Sequence, residues 1–262
     1  MGQHIIVTTS WDDGNLADLK VAELLRTWGV RGTFYIPIRP FEGRPALEHA
    51  HLRRLSSEGF EIGAHGLSHR PLWGLRAEEL AKEVGLCKPI LEEILGTEVR
   101  MFCYPRGRYD SNVVRALKQV GYSGARTVRM LSTRLEFSPF EMPTTLQIFP
   151  HSRSGYLRNI ARARKLEGLW AYATHRRGLA NWVDLGKDLF DTVSRNGGIW
   201  HLYGHSWEID ELGLWKDLEK MLEYVSKREG VTYMTNRELI RFLPESTKHS
   251  DTARTHEDNT RS

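Results

Sequence analysis

Two adjacent carboxylates, Asp12 and Asp13, close the β-rich run His4-Ile5-Ile6-Val7-Thr8-Thr9-Ser10-Trp11, and Gly14 follows them. Like charges side by side repel, so a strand tip carrying both is costly unless a cation stands between them or one of them binds a proton. The pair points to a metal or an acid/base site, against the plainer reading of Asp13-Gly14 as a turn dipeptide. A second group, His65-Gly66-Leu67-Ser68-His69, holds two imidazoles four residues apart. At that spacing they fall on one side of a helical turn and can share a metal through their ring nitrogens. Exposed histidine pairs at this spacing also arise by chance. What sets this pair apart is that it, too, follows a strand, residues 60–64. Gly66 lets the chain leave that strand sharply, and Pro71 limits any continuation. A further polar tip, Gly204-His205-Ser206-Trp207-Glu208, ends the apolar run 199–203.

These tips need elements to position them. After Gly14 the apolar residues Leu16, Leu19, Val21, Ala22, Leu24 and Leu25 recur at helical spacing up to Trp28, and Gly29 stands where a C-terminal cap belongs. Strands are expected at 31–38, 60–64, 99–103, 122–127, 146–149, 199–203 and 231–235. Helices are expected near 47–58, over 76–95 with an interruption at Lys88-Pro89, over 111–120, through most of 156–196 with Asn181 as a cap, and over 211–228 and 236–243. Strand and helix alternate, which predicts a largely parallel sheet with helical crossovers. The polar residues lie where strands end and helices begin, the edge that carries the site both in barrels and in open sheets.

The composition is that of an ordinary globular chain: 262 residues, 40% hydrophobic and 27% charged, with a formal net charge of +4. No apolar run reaches the length of a membrane span. The N-terminus shows no signal-peptide pattern, so a cytoplasmic location is expected. Cys87 and Cys103 have neither metal-ligand spacing nor the look of a disulfide framework. Arg153, Arg158, Arg162, Arg164, Lys165, Arg176 and Arg177 concentrate the positive charge. They read as a solvated helix face, and with no nucleic-acid-binding signature beside them no nucleic-acid partner is expected. From residue 244 onward the chain is polar and charged, the composition of a disordered tail.

The run Thr9-Ser10-Trp11-Asp12-Asp13-Gly14 resembles the first motif of the polysaccharide deacetylase family, also called NodB-homology or carbohydrate esterase family 4, and His65-Gly66-Leu67-Ser68-His69 resembles its second. Order, separation and strand-tip context agree, and the resemblance runs from about residue 4 to 243. It implies an α/β fold, a single-domain distorted (β/α) barrel of fewer than eight strands over residues 1–243. It implies metal ligation by Asp13, His65 and His69, with Asp12 as catalytic base. The ion expected is Zn2+, with Co2+, Ni2+, Mn2+ or Fe2+ as alternatives. Pro105 and Gly107 match the third motif, but Cys103 occupies the family's usual arginine position, which leaves Arg106 or Arg126 to orient Asp12. Leu202-Tyr203-Gly204-His205 resembles the strand that presents the catalytic acid, His205, although Ser206 stands where an aspartate often follows.

The chemistry is coherent in its own right. Two neutral imidazoles and a carboxylate leave a divalent ion with open positions, where the pKa of a water falls toward neutrality. Asp12 would take that water's proton as it attacks an N-acetyl carbonyl. The backbone N–H of Arg106, with Tyr104 and Pro105 beside it, would meet the oxyanion, and His205 would protonate the departing amine. Trp73 and Trp207 are placed either to stack on a sugar face or to pack at the rim. His151 reads as a surface or hydrogen-bonded histidine near the same edge. The substrate expected is a carbohydrate or another acetylated amine. The rivals are a metal-dependent hydrolase of C–N bonds in a non-sugar small molecule, and a degenerate glycan-binding module. A non-haem Fe(II) oxygenase shares the two-histidine, one-carboxylate set but needs neither a second aspartate nor a distant histidine.

Overall fold

The computed structural model describes residues 4–152 and 181–243. Its axis is β1 (Ile5–Asp12), whose β-branched run is buried at every position except the first. Strands covered on both faces belong to parallel α/β sheets. β1 pairs along its whole length with β7 (Gly198–His205) on one edge. On the other edge it pairs with β2 (Gly32–Ile36) near its C-terminal end and with the short β8 (Val231–Tyr233) near its N-terminal end. β3 (Glu61–Ala64), β4 (Met101–Cys103), β5 (Gly124–Arg126) and β6 (Leu146–Gln147) complete the sheet. Seven strands follow one path in the order β5-β4-β3-β2-β1-β7-β6, and β8 branches from β1. All the strand pairings are parallel.

The sheet curls into a distorted barrel. Its seam is stitched by residues 142–147: Met142 N–H donates to Ala125 O at 3.0 Å and Thr127 N–H to Met142 O at 2.8 Å, while Thr145 N–H donates to His201 O at 2.8 Å. Outside lie α1 (Asp18–Trp28), α2 (His49–Ser57), α3 (Ala77–Gly85), α4 (Cys87–Leu95), α5 (Ser111–Val120), α6 (Trp182–Asn196), α7 (Ser206–Glu211), α8 (Trp215–Val225) and α9 (Asn236–Phe242). No helix among the described residues is long and apolar enough to cross a membrane.

Strand alternation divides the core. Val7 and Trp11 of β1, Phe34 of β2 and Phe102 of β4 pack with the helices, whereas Ile6, Tyr35, Met101 and Cys103 form a smaller cluster within the curl. The even positions of β1, ending at Asp12, therefore look inward.

Two expected helices are divided differently from the sequence reading. The interruption placed at Lys88-Pro89 falls at Leu86, between α3 and α4. Proline has no N–H and its ring crowds the carbonyl four residues back, so Pro89 breaks the ladder at Gly85 and itself sits in the first turn of α4. The helix expected over 211–228 begins only at Trp215, as α8, and Gly213, with φ 66°, parts it from the separate short helix α7 that starts at Ser206. Asn181 does cap α6, its side chain accepting from Val183 N–H at 2.8 Å. The basic cluster, the helix expected over 156–180 and the polar tail lie outside the described residues.

Candidate active site

Asp12 is the last residue of β1, and its inward direction follows from the strand period. A regular strand would turn Asp13 the other way, but Asp13 adopts φ 76° and Gly14 φ 61°, so the chain bends and both carboxylates reach one cavity. Such a left-handed aspartate stores backbone strain of roughly 1–3 kcal/mol, which the surroundings must hold. The cavity, about 290 Å³, is lined by Asp12, Asp13, His65, His69 and His205, by the aromatics Phe41, Tyr104, Tyr203 and Trp207, and by Arg106, Val128, Gln147 and His151.

The two histidines converge without the helical turn that their spacing suggested. His65 follows β3 directly, the intervening residues form an irregular loop, and His69 has φ 56°. His65 Nδ1 lies 2.8 Å from the Cys103 carbonyl. A carbonyl only accepts, so Nδ1 carries the proton and Nε2 presents its lone pair. That Nε2 stands 3.6 Å from Asp13 Oδ1, and His69 Nε2 stands 3.1 Å from the same oxygen. Ligand atoms of Asp13, His65 and His69 all lie within 4.8 Å of one another. Asp13 Oδ2 accepts the Trp207 indole N–H at 2.9 Å, while Oδ1 is buried without a hydrogen bond. Burial lowers His65 to about 4 and keeps it neutral. Burial works against the charge of Asp13 as well, but His69, His205 and His65 outweigh it and hold its carboxyl below the usual range. Two imidazole nitrogens and an ionised, orphaned carboxylate oxygen fit a divalent cation. Asp12, His65 and Cys103 form an overlapping cluster, but burial raises the Cys103 thiol and Asp12 is already paired.

That partner of Asp12 is Arg126, fully buried at the end of β5. Burial pushes Asp12 up, and Arg126, with His65 and His205, more than offsets it, so the carboxylate stays ionised. Arg126 also faces the Tyr203 and Tyr35 rings, with 4.7 and 5.4 Å to their centroids. Arg106 is elsewhere, at the cavity lip, 3.5 Å from Glu42, with its side chain 60% exposed. The choice between the two arginines is thus decided by register: Arg126 is the β-sheet partner of Cys103, so the cation has moved one strand along.

His205 ends β7. Its Nδ1 is 2.7 Å from Glu208 Oε2, which leaves Nε2 facing Asp12 Oδ2 at 3.8 Å and Asp13 Oδ2 at 3.9 Å. Burial disfavours its charge, but the Glu208 hydrogen bond, Asp12 and Asp13 prevail and raise it to about 9.

The remaining expectations divide. Trp207 lines the cavity, but its N–H is spent on Asp13. Trp73 is 61% exposed and is not among the cavity residues. Tyr104 lines the wall, stacked on Tyr109 with centroids 4.1 Å apart, and Pro105 is buried behind it. Arg106 has φ 56° and Gly107 φ 66°, where a side chain would meet Val128 at 2.3 Å. His151 does reach the cavity, with Nε2 2.9 Å from Gln147 Oε1, an oxygen that also accepts the Tyr203 hydroxyl at 2.9 Å. Sequence reasoning missed Glu208, although an acid three residues beyond a strand-tip histidine, in the first turn of a helix, was a readable signal.

Residues 3–125 match the family model described as Polysaccharide deacetylase. That match covers just under half of the chain, and over it the sequence is similar to the polysaccharide deacetylase family. It is also similar to two Bacillus subtilis (strain 168) proteins. It is 22% identical to "Putative polysaccharide deacetylase YxkH" over 117 residues, 44% of this chain and 42% of that protein. It is 28% identical to "Peptidoglycan-N-acetylmuramic acid deacetylase PdaA" over 104 residues, 39% of this chain and 38% of that protein. The matches thus span about two fifths of these relatives. Among solved structures, a "putative polysaccharide deacetylase" from Mycobacterium smegmatis superposes with a TM-score of 0.67 over 95% of this chain and 93% of the other, at 16% identity. At that identity the likeness speaks for the fold, a NodB-type distorted barrel.

Proposed function

We propose that this protein is a metal-dependent deacetylase that hydrolyses the N-acetyl group of an amino sugar or glycan. The observation that carries the reading is the division of labour between two adjacent carboxylates: Asp13 joins His65 and His69 with an oxygen left free, and Asp12 is held apart by Arg126. A divalent cation held by Asp13, His65 and His69 supplies a Lewis acid that polarises the amide carbonyl and acidifies a water.

The chain's own groups then manage the protons. Asp12, kept ionised by Arg126, accepts the proton of the attacking water. Arg126 lies fully buried behind it and so fixes the direction of the carboxylate rather than meeting substrate. His205 donates from Nε2 to the departing amine nitrogen, which is too basic to leave unprotonated. Glu208 holds the other ring nitrogen and keeps the imidazolium charged until that transfer. The Arg106 main-chain N–H is the candidate oxyanion donor, set on a tight turn beside Tyr104. Phe41, Tyr104, Tyr203 and Trp207 give the cavity the aromatic walls against which an apolar sugar face packs.

The decisive experiment presents acetylated and formylated amides, sugar and non-sugar, to the protein loaded with Zn2+ or Co2+ and to the chelator-treated protein. Acetate release from acetylamino sugars, lost with the metal and restored by it, is the expected result. A strong preference for a small non-sugar amide would transfer the assignment to another C–N hydrolase. Sugar binding without turnover would make it a binding module.

A further inference from the structure

Glu83 is a buried carboxyl to which the reaction assigns no task. It sits in the last turns of α3, 6% exposed, and forms no ion pair among the described residues. Its hydrogen bonds go to one place, the loop between the two histidines. Oε2 accepts the main-chain N–H groups of Leu67 at 3.1 Å and Ser68 at 3.0 Å, and Oε1 accepts the Ser68 hydroxyl at 2.6 Å. The Glu83 carbonyl takes the Leu67 N–H as well, at 3.1 Å. From the opposite side, Ile38 N–H donates to Gly66 O at 3.2 Å and Arg39 N–H to Leu67 O at 2.9 Å.

This arrangement answers a specific need. A loop that is neither strand nor helix has no ladder to satisfy its main-chain groups, and buried N–H groups must find acceptors. Neighbouring strands supply none in that direction, so a side chain does. The loop is also strained where it matters: Gly66 has φ 82° and His69 φ 56°. A histidine in the left-handed region relaxes to an ordinary conformation unless its surroundings hold it there. Relaxation would carry its Nε2 away from Asp13 Oδ1, now 3.1 Å distant.

We infer that Glu83 is a positioning residue for the metal centre: its carboxylate builds the loop that brings His65 and His69 to Asp13, and thereby sets the affinity for a divalent cation. The inference rests on the metal-centre reading above. It differs from a plain stabilising role, which would lower the melting temperature and leave the affinity of the folded protein unchanged.

The test is Zn2+ affinity, measured by competition with a chromophoric chelator, together with the absorption spectrum of the Co2+-loaded protein, in the parent, Glu83→Ala, Glu83→Gln and Ser68→Ala. Circular dichroism reports the fold of each. Loss of a partner that orients a ligand typically weakens metal binding about 10- to 100-fold, and Glu83→Ala is expected in that range with an altered Co2+ band. Glutamine retains one oxygen for the two N–H groups and can turn its amide to Ser68 Oγ, so Glu83→Gln returns to within a few fold of the parent. Ser68→Ala removes one charge-assisted hydrogen bond, worth about tenfold, and keeps the rest of the clamp. Parent affinity in a folded Glu83→Ala protein overturns the inference; if that variant does not fold, parent affinity in Ser68→Ala does so. A parent that binds neither Zn2+ nor Co2+ overturns the metal-centre reading and the inference with it.

Discussion

Thr8 and Asp12 share the inward face of β1 and serve opposite kinds of polar network. At the floor of the barrel, Thr8 donates to Asn236 Oδ1 at 2.9 Å, Asn236 Nδ2 donates to Tyr35 Oη at 2.9 Å, and Asn236 N–H donates to Thr33 Oγ1 at 3.0 Å. Thr33 passes its proton toward Glu61 Oε2 at 2.8 Å, and Arg237 N–H meets the same oxygen at 2.9 Å. Burial raises Glu61 to about 7, so even the floor's acid drifts toward neutrality. At the rim the surrounding charges hold Asp12 and Asp13 ionised against burial, and Asp13 Oδ1 keeps an unused lone pair. Each network leaves one buried oxygen without a hydrogen bond, but at the floor it belongs to Glu61, an acid pushed toward neutrality, whereas at the rim it belongs to the ionised Asp13. A buried polar network that is complete rigidifies, and one left incomplete is costly unless a ligand completes it.

The contrast can be broken most sharply at Asp12. Asp12→Asn should retain metal while turnover falls by about two to four orders of magnitude, because an amide cannot accept the water's proton. Asp13→Asn should instead reduce metal content. Measured side by side, near-parent turnover in a metal-loaded Asp12→Asn protein would remove Asp12 as the base.

Arg126 comes next. Arg126→Ala strands a buried carboxylate, and breaking a buried pair costs about 3–5 kcal/mol, readable as a shift in the urea unfolding midpoint with turnover falling alongside. Adding Cys103→Arg to that variant returns a cation to the neighbouring strand at the same register and should recover part of both. Unchanged stability in Arg126→Ala would show that the pair does not hold the rim together.

The smallest effect belongs to the floor. Asn236→Ala leaves Tyr35, Thr8 and their neighbours short of a partner, at a cost of about 1–3 kcal/mol, and should leave metal affinity and turnover at parent values. A folded Asn236→Ala protein with reduced turnover would join floor to rim and dissolve the distinction.

Much of the candidate site was legible because its residues are local in sequence. Asp12-Asp13-Gly14, the His65/His69 pair and His205 each occupy one strand tip, and alternating strands and helices carry all tips to one edge. What stayed hidden were most of the contacts that hold them: Glu208 for His205, Glu83 for the histidine loop and the Trp207 N–H for Asp13 Oδ2, while the partner of Asp12 was left between two arginines. Arg106 and Arg126 were equal on paper. Only the pairing of β4 with β5 sends one inward and leaves the other at the lip beside Glu42.

By itself, then, the sequence determined the parallel α/β organisation and the chemical types gathered at the rim, because helical periodicity, β-branched runs and turn residues act over a few neighbours. The tertiary structure decided which oxygen of Asp13 stays free, which arginine stands behind Asp12, and that the histidines meet through a left-handed loop rather than a helical turn. Those outcomes depend on contacts between strands and helices far apart in the chain, such as Asp12 with Arg126 and Asp13 with Trp207. Local pattern carries no information about such distances.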